Sequence, residues 1–221
     1  MLWERYGAEL DAEAESDSTG AREIHLTSFQ TDGLWRAKRI LAERNGVLIA
    51  DEVGLGKTFL AGELIREATM DRRQRVLVIT PATLRDGPWR AFKNQHMLPM
   101  ELISYEELMA DHRLNPGHSS QVKLRAGINE YAMVVIDEAH NLRNPATQRA
   151  DALRRLLAGS PPKQLVLLTA TPVNNSLWDL YYQLGYFLRN DAAFADVGIP
   201  SMRDHFARAM SINPDDLTPD P

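Results

Sequence analysis

Five short apolar runs constrain this chain more than anything else in it: VLIA (47–50), VLVIT (76–80), ELIS (101–104), MVVI (133–136) and LVLLT (165–169). Each is rich in Val, Ile or Leu, and none alternates apolar with polar residues. A strand with one wet face must alternate, because successive side chains point to opposite faces. Runs without alternation suit strands covered on both faces, as in parallel sheets. Parallel neighbours need crossovers, and helical stretches lie between the runs, such as FLAGELIREAT (59–69) and ATQRADALRRLLAG (146–159). Leu34, Ala37, Ile40 and Leu41 share helical spacing within 34–44. The pattern predicts an α/β fold: a doubly wound, mainly parallel sheet with helices on both faces.

Composition narrows the function classes. The 221 residues are 44% hydrophobic and 25% charged, ordinary for a globular protein with a full core. There is no cysteine, which excludes disulfides and thiolate metal sites. The six histidines lack metal-ligand spacing, and His112 and His118 fall in a turn-rich stretch, DHRLNPGHSSQ (111–121), that reads as a surface excursion. No apolar run approaches the roughly 18 residues of a membrane span. The opening MLWERYGAEL lacks the basic-then-apolar order of a signal peptide. These features predict a cytoplasmic protein without a membrane partner. Residues 1–20 carry six acids and one base, so the whole net charge of −5 sits in that leader. The leader (1–23) is expected to be mobile or weakly helical, and the helical stretch and polar tail of 191–221 to be an extension or linker.

In open α/β sheets, ligands bind beyond the carboxyl ends of the strands. The first run is followed by DEVGLGKT, the second by PATLRDGPW, the third by YEEL, the fourth by DEAH, and the last enters T-A-T-P. A phosphate-binding loop reads G-x-x-x-x-G-K-[ST]. Here Gly56, Lys57 and Thr58 fit, with Asp51 where the first glycine is expected. The glycines Gly54 and Gly56, with Val53 and Leu55, let main-chain N–H groups turn inward, and the following helix aims its positive end at phosphate. Lys57 reaches the outer phosphates and Thr58 ligates Mg²⁺. Asp137, 80 residues downstream at a strand end, suits Mg²⁺ held largely through water, and Glu138 suits a base for the attacking water. Together these residues predict ATP and Mg²⁺ as cofactors and nucleoside triphosphate hydrolysis, with Lys57, Asp137 and Glu138 catalytic.

Asp51 and Glu52 pose a difficulty, since two anions against a triphosphate repel it. Their side chains are expected to point away from the phosphates.

With these motifs, the chain resembles the first RecA-like lobe of a superfamily-two helicase. Within that group it is most similar to the Swi/Snf-type translocases of double-stranded DNA. DEVGLGKT and DEAH resemble the family's first two motifs. LTATPVNNSLWDLYYQLGYFL (168–188) resembles the third motif and the helix after it. VLVITPATLRDGPWRAF (76–92) and ISYEEL (103–108) resemble segments that face DNA, which implies DNA-side roles for Pro81, Arg85, Trp89 and Tyr105. LTSFQTDGLWRA (26–37) resembles the glutamine motif, making Gln30 the adenine reader. The resemblance also implies that His140, Thr169 and Thr171 couple nucleotide state to the DNA face. It covers residues 24–190, the expected lobe. Val53 and the Ala61-Gly62 pair resemble bacterial members, including some that act on RNA polymerase.

The resemblance implies an ATP-binding lobe of a DNA-dependent ATPase. Such enzymes complete their site with a second RecA-like lobe bearing arginine fingers, and a lost finger costs about 10³–10⁵ in rate. No second phosphate-site motif follows residue 190, so this chain alone is expected to bind Mg-ATP weakly and turn it over poorly. Two alternatives stay open: an RNA helicase lobe, and a stand-alone ATP-binding regulatory module using Trp178, Tyr181 and Tyr182 as a partner surface.

Overall fold

All five apolar runs form strands in the protein's structure, a computed structural model describing residues 24–51, 56–117, 121–174 and 176–211. They are β1 (Gly46–Ile49), β2 (Arg75–Thr80), β3 (Glu101–Ser104), β4 (Tyr131–Ile136) and β5 (Gln164–Leu168). They build one sheet in the order β1-β5-β4-β2-β3, and every pairing is parallel. The strand interiors are buried on both sides, which is why their sequences do not alternate. Val76, Val78, Met133 and Val135 face one core, while Leu77, Ile79, Val134 and Ile136 face the other.

The first core is covered by α1 (Ser28–Arg44) and α2 (Lys57–Arg66). The Thr27 hydroxyl accepts from the Gln30 N–H, and Gln30 Oε1 accepts from the Thr27 N–H at 2.9 Å. This reciprocal cap starts α1 at residue 28, six residues before the apolar spacing suggested. Leu34, Ala37 and Leu41 are buried as expected, but Ile40 is 42% exposed and lies off that stripe. Asn45, in the left-handed region at φ 58°, ends the helix. Beyond α2 the chain makes a wider helical turn, Glu67–Asp71, that buries Ala68 and Thr69.

The second core is covered by α4 (Tyr105–Ala110) and α5 (Gln148–Leu157), while α3 (Arg90–Gln95) packs Phe92 into the first. The segment 111–126 is more than a surface excursion. His112 is exposed, but Asp111, Leu114 and Leu124 are buried. His118 lies outside the described residues.

Residues 191–211 pack on the preceding elements through specific contacts. Arg44 pairs with Asp196 at 3.0 Å, and the Phe206 ring of α7 (Met202–Ser211) meets Tyr181 of α6 (Trp178–Leu184) edge-on at 5.6 Å. In α6, Trp178 and Tyr181 are half-buried by these aromatic contacts, and Tyr182 is 38% exposed. The acidic leader 1–23 and the tail 212–221 lie outside the described residues. Among the described residues, no helix is long and apolar enough to cross a membrane.

The chain leaves β2 towards β3 and leaves β4 towards β5, in opposite directions across the sheet. By the general rule for open α/β sheets, such a reversal marks the carboxyl ends of the strands as the ligand side. The residues with candidate chemistry lie along this edge.

Candidate functional site

β1 delivers the first of them. Gly56 stands in the left-handed region at φ 83°, where glycine is free of Cβ strain, and caps α2. A Cβ here would come within 2.2 Å of the Gln30 side-chain nitrogen, so the start of α1 lies against the loop. Lys57 Nζ donates to the main-chain carbonyl of Asp51 at 2.6 Å. Asp51 therefore meets the lysine through its backbone. Glu52, Val53, Gly54 and Leu55 lie outside the described residues. Thr58 is half-buried in the first turn of α2.

β4 delivers the second group. Asp137 extends the ladder past the strand, its N–H donating to Ile79 O at 2.8 Å. Its Oδ2 accepts from Trp89 Nε1 at 2.7 Å and from the Thr80 hydroxyl at 3.2 Å, and its Oδ1 from the Glu138 N–H at 2.9 Å. Glu138 follows in the left-handed region at φ 54°. For a residue with a Cβ this costs of order 1–3 kcal/mol and persists only where the surroundings impose it. Here the Glu138 carbonyl accepts from the Asn141 side chain at 2.9 Å, the Asn141 N–H at 3.0 Å and the Tyr105 hydroxyl at 3.2 Å. His140 Nδ1 is 2.9 Å from Glu138 Oε2, buried but not aligned as a hydrogen bond.

The third group follows β5, which lies between the other two. Thr169 is buried, donates its N–H to Ile49 O at 3.1 Å and accepts at its hydroxyl from the Thr171 N–H at 3.1 Å. Gln183 of α6, fully buried, donates to the Pro172 carbonyl at 2.8 Å and ties this segment to the helix.

The structure corrects two of the expected DNA-side residues. Trp89 and Tyr105 are each 1% exposed. Their apolar rings fill the core and their polar tips point at the 137–138 turn, so neither presents a surface to a duplex. Burial, with the Asp137 charge nearby, pushes the Tyr105 phenol well above its ordinary pKa and keeps it a donor. Pro81 and Arg85 stay half-exposed at the strand edge, and the Arg85 guanidinium pairs with Asp86 at 2.7 Å and with Glu107.

Sequence reasoning passed over Thr80, Asn141 and Gln183. Thr80 was legible as the polar terminus of VLVIT. The other two announce themselves only through distant partners.

The site lacks a closed metal cage: among the described residues no three His, Asp or Glu side chains gather around one point. Mg²⁺ keeps several waters and takes one or two carboxylates together with substrate phosphates. Asp137 fits the role, since its described partners are neutral donors and it has no salt bridge among the described residues. A cavity of about 470 Å³, lined among others by Arg154, Tyr182 and Arg189, has none of Lys57, Thr58, Asp137, Glu138 or Thr169 in its wall.

Comparisons with known proteins agree with this architecture. The family described as the SNF2-related domain matches residues 90–198. An uncharacterized ATP-dependent helicase, YqhH of Bacillus subtilis, is 30% identical over 155 residues, covering 66% of this chain and 27% of that protein. The Drosophila melanogaster SWI/SNF-related matrix-associated actin-dependent regulator of chromatin subfamily A-like protein 1 is 28% identical over 72% of this chain and 21% of its own length. Among solved structures, the Sulfolobus solfataricus SWI2/SNF2 ATPase core in complex with double-stranded DNA superposes with a TM-score of 0.58 at 21% identity, covering 87% of this chain and 45% of that one. The chain spans 27% and 21% of the lengths of these two relatives and 45% of the solved chain.

Proposed function

We propose that the chain, which matches the SNF2-related domain over residues 90–198 and has the fold of a RecA-like lobe, belongs to the Swi/Snf-type branch of the superfamily-two helicases and is the ATP-binding lobe of a DNA-dependent ATPase that moves on, or remodels complexes of, duplex DNA. The observation that carries this is the meeting of three motif segments on one sheet edge. Lys57 and Thr58 open α2 beside β1, Asp137 and Glu138 end β4, and Thr169 ends β5 between them. With strands about 4.8 Å apart, the ends of β1 and β4 are separated by about 10 Å, a span suited to a triphosphate and its metal.

In this reading the lobe comprises residues 24–190, with 191–221 as an extension. Main-chain N–H groups of residues 53–56 and Lys57 hold the phosphates. Thr58 and Asp137 hold Mg²⁺, which when bound neutralises charge on the transferred phosphoryl group. Glu138 takes the proton of the attacking water, and the strained backbone of residue 138 aims its carboxylate. His140, 2.9 Å from that carboxylate, links it to the segment of Thr169 and Thr171. Gln30, against Gly56, reads adenine. Pro81 and Arg85 flank the nucleic-acid path. A second RecA-like lobe supplies the arginine that completes the site, so the isolated chain turns over slowly.

The test is nucleotide binding followed by stimulated turnover. Lys57→Ala is expected to lower Mg-ATP affinity at least 100-fold by calorimetry. Glu138→Gln is expected to keep that affinity while single-turnover hydrolysis falls 10²–10⁴-fold, a general base's usual contribution. In the full-length protein, duplex DNA is expected to stimulate turnover more than RNA does. Equal or greater stimulation by RNA would replace the DNA assignment with an RNA helicase lobe. Tight Mg-ATP binding with no hydrolysis would favour a regulatory module.

A further inference from the structure

The two residues withdrawn from the DNA-side surface have a different place in the molecule. Trp89 ends a wide helical turn, Arg85–Trp89, whose backbone is broken at Gly87 (φ −100°, ψ −105°) and carries Pro88. That turn drives the indole inward, edge-on to Phe92 at 6.2 Å. Phe92 in turn meets Phe59 edge-on at 5.5 Å. Phe59 directly follows Lys57 and Thr58 on α2. Gly62, one turn further, lets Phe92 approach so closely that a Cβ there would lie 2.4 Å from its ring. A continuous aromatic contact thus runs from the first turn of α2 to the carboxylate of Asp137, across the first core.

Tyr105 does the equivalent from the second core. Its hydroxyl reaches the main-chain carbonyls of Asp137 at 2.8 Å and Glu138 at 3.2 Å. The Arg149 guanidinium lies 4.7 Å over its ring and also donates to Asn141 Oδ1 at 3.1 Å. Asn141 closes the loop back onto the Glu138 carbonyl. The segments holding these two anchors join through the Arg85 contact with Glu107.

We propose that Trp89 and Tyr105 are positioning residues for Asp137 and Glu138. Trp89 orients the metal-holding carboxylate, Tyr105 imposes the left-handed backbone at residue 138, and both transmit the placement of segments 81–95 and 105–110 to that pair. A neutral N–H on one carboxylate oxygen leaves the negative charge in place while fixing the plane of the group. Partners of this kind around metal ligands are worth 10–100-fold in metal affinity. The inference rests on the nucleotide-site reading above.

Trp89→Phe keeps an aromatic ring and removes the N–H. Tyr105→Phe keeps the ring under Arg149 and removes the hydroxyl. The probe is Mn²⁺ with ATP, followed by electron paramagnetic resonance on the whole chain, with melting temperature and metal-free ATP binding measured in parallel. Trp89→Phe is expected to weaken Mn²⁺ binding about 10-fold while metal-free ATP affinity stays within about twofold. Tyr105→Phe is expected to speed amide hydrogen exchange at residues 138–142 about 10-fold. Unchanged Mn²⁺ affinity in Trp89→Phe, with binding still abolished by Lys57→Ala, overturns this inference alone. Failure of the unchanged chain to bind Mn-ATP overturns the nucleotide-site reading with it. A fall in melting temperature and metal-free affinity together would make Trp89 a packing residue and likewise overturn the proposal.

Discussion

Asp111 and Asp137 each gather hydrogen bonds from three or more groups, and the groups differ in kind. Asp111 is fully buried. Its carboxylate accepts from the N–H groups of Lys123 at 2.7 Å, Leu124 at 2.8 Å and Arg113 at 2.9 Å, and pairs with the Arg113 guanidinium at 3.4 Å. Asp137 is half-exposed, and its described donors are a hydroxyl, an indole and one amide, all neutral. The first carboxylate is neutralised inside the protein and closes the 111–126 segment. The second is aimed but left with its charge at the open edge of the sheet. A buried carboxylate answered by a cation is a structural part, whereas one fixed by neutral donors remains able to hold a cation from outside.

The largest effect that would test this contrast is on stability. Asp111→Ala strands several buried N–H groups and is expected to cost about 3 kcal/mol, read from urea unfolding, with Mg-ATP affinity intact in the folded fraction. Gly62→Ala comes next, at about 2 kcal/mol, because the added methyl must displace the Phe92 ring. That displacement also reaches Trp89, so Mn²⁺ binding should weaken alongside. Asp137→Ala is expected to cost less, about 1–2 kcal/mol, because the Trp89 indole N–H and the Thr80 hydroxyl lose an acceptor at this half-exposed site, while abolishing metal-dependent nucleotide binding. An Asp137→Ala protein as destabilised as Asp111→Ala would erase the distinction.

The smallest effect is a pH dependence. Burial works to raise the Asp111 pKa, but the Leu124 amide, the Arg113 side chain and the Lys123 and Arg113 amides outweigh it and hold the carboxyl below its usual range. A carboxyl with a depressed folded-state pKa contributes stability above its unfolded value, about 3.9, and that contribution is lost as pH falls through the folded value. The stability gap between the unchanged protein and Asp111→Asn is therefore expected to be full at pH 7 and to narrow below about pH 4. A gap independent of pH would mean that the Asp111 charge plays no part.

Much of this molecule was legible before its coordinates. All five strands, the helix over 148–157 and the phosphate-loop lysine at a helix start follow from local patterns, because burial on both faces and helix caps are written in neighbouring residues. The beginning of α1 was less legible, since Thr27 and Gln30 act as a reciprocal cap and not as part of the apolar stripe. Trp89 and Tyr105 were misread, because an aromatic residue beside a polar loop looks the same whether its ring faces solvent or core. Asp111 gave no sign of its role, as its partners stand up to 13 residues away in the chain.

By itself the sequence determined which segments become strands, that they lie parallel, and which polar residues end them. These are local matters of side-chain period and backbone propensity. Only the tertiary structure decided the order β1-β5-β4-β2-β3, the meeting of Trp89, Thr80 and Tyr105 at the end of β4, and the difference between two aspartates of the same chemistry. Those outcomes depend on contacts between residues tens of positions apart, which packing selects and no local pattern encodes.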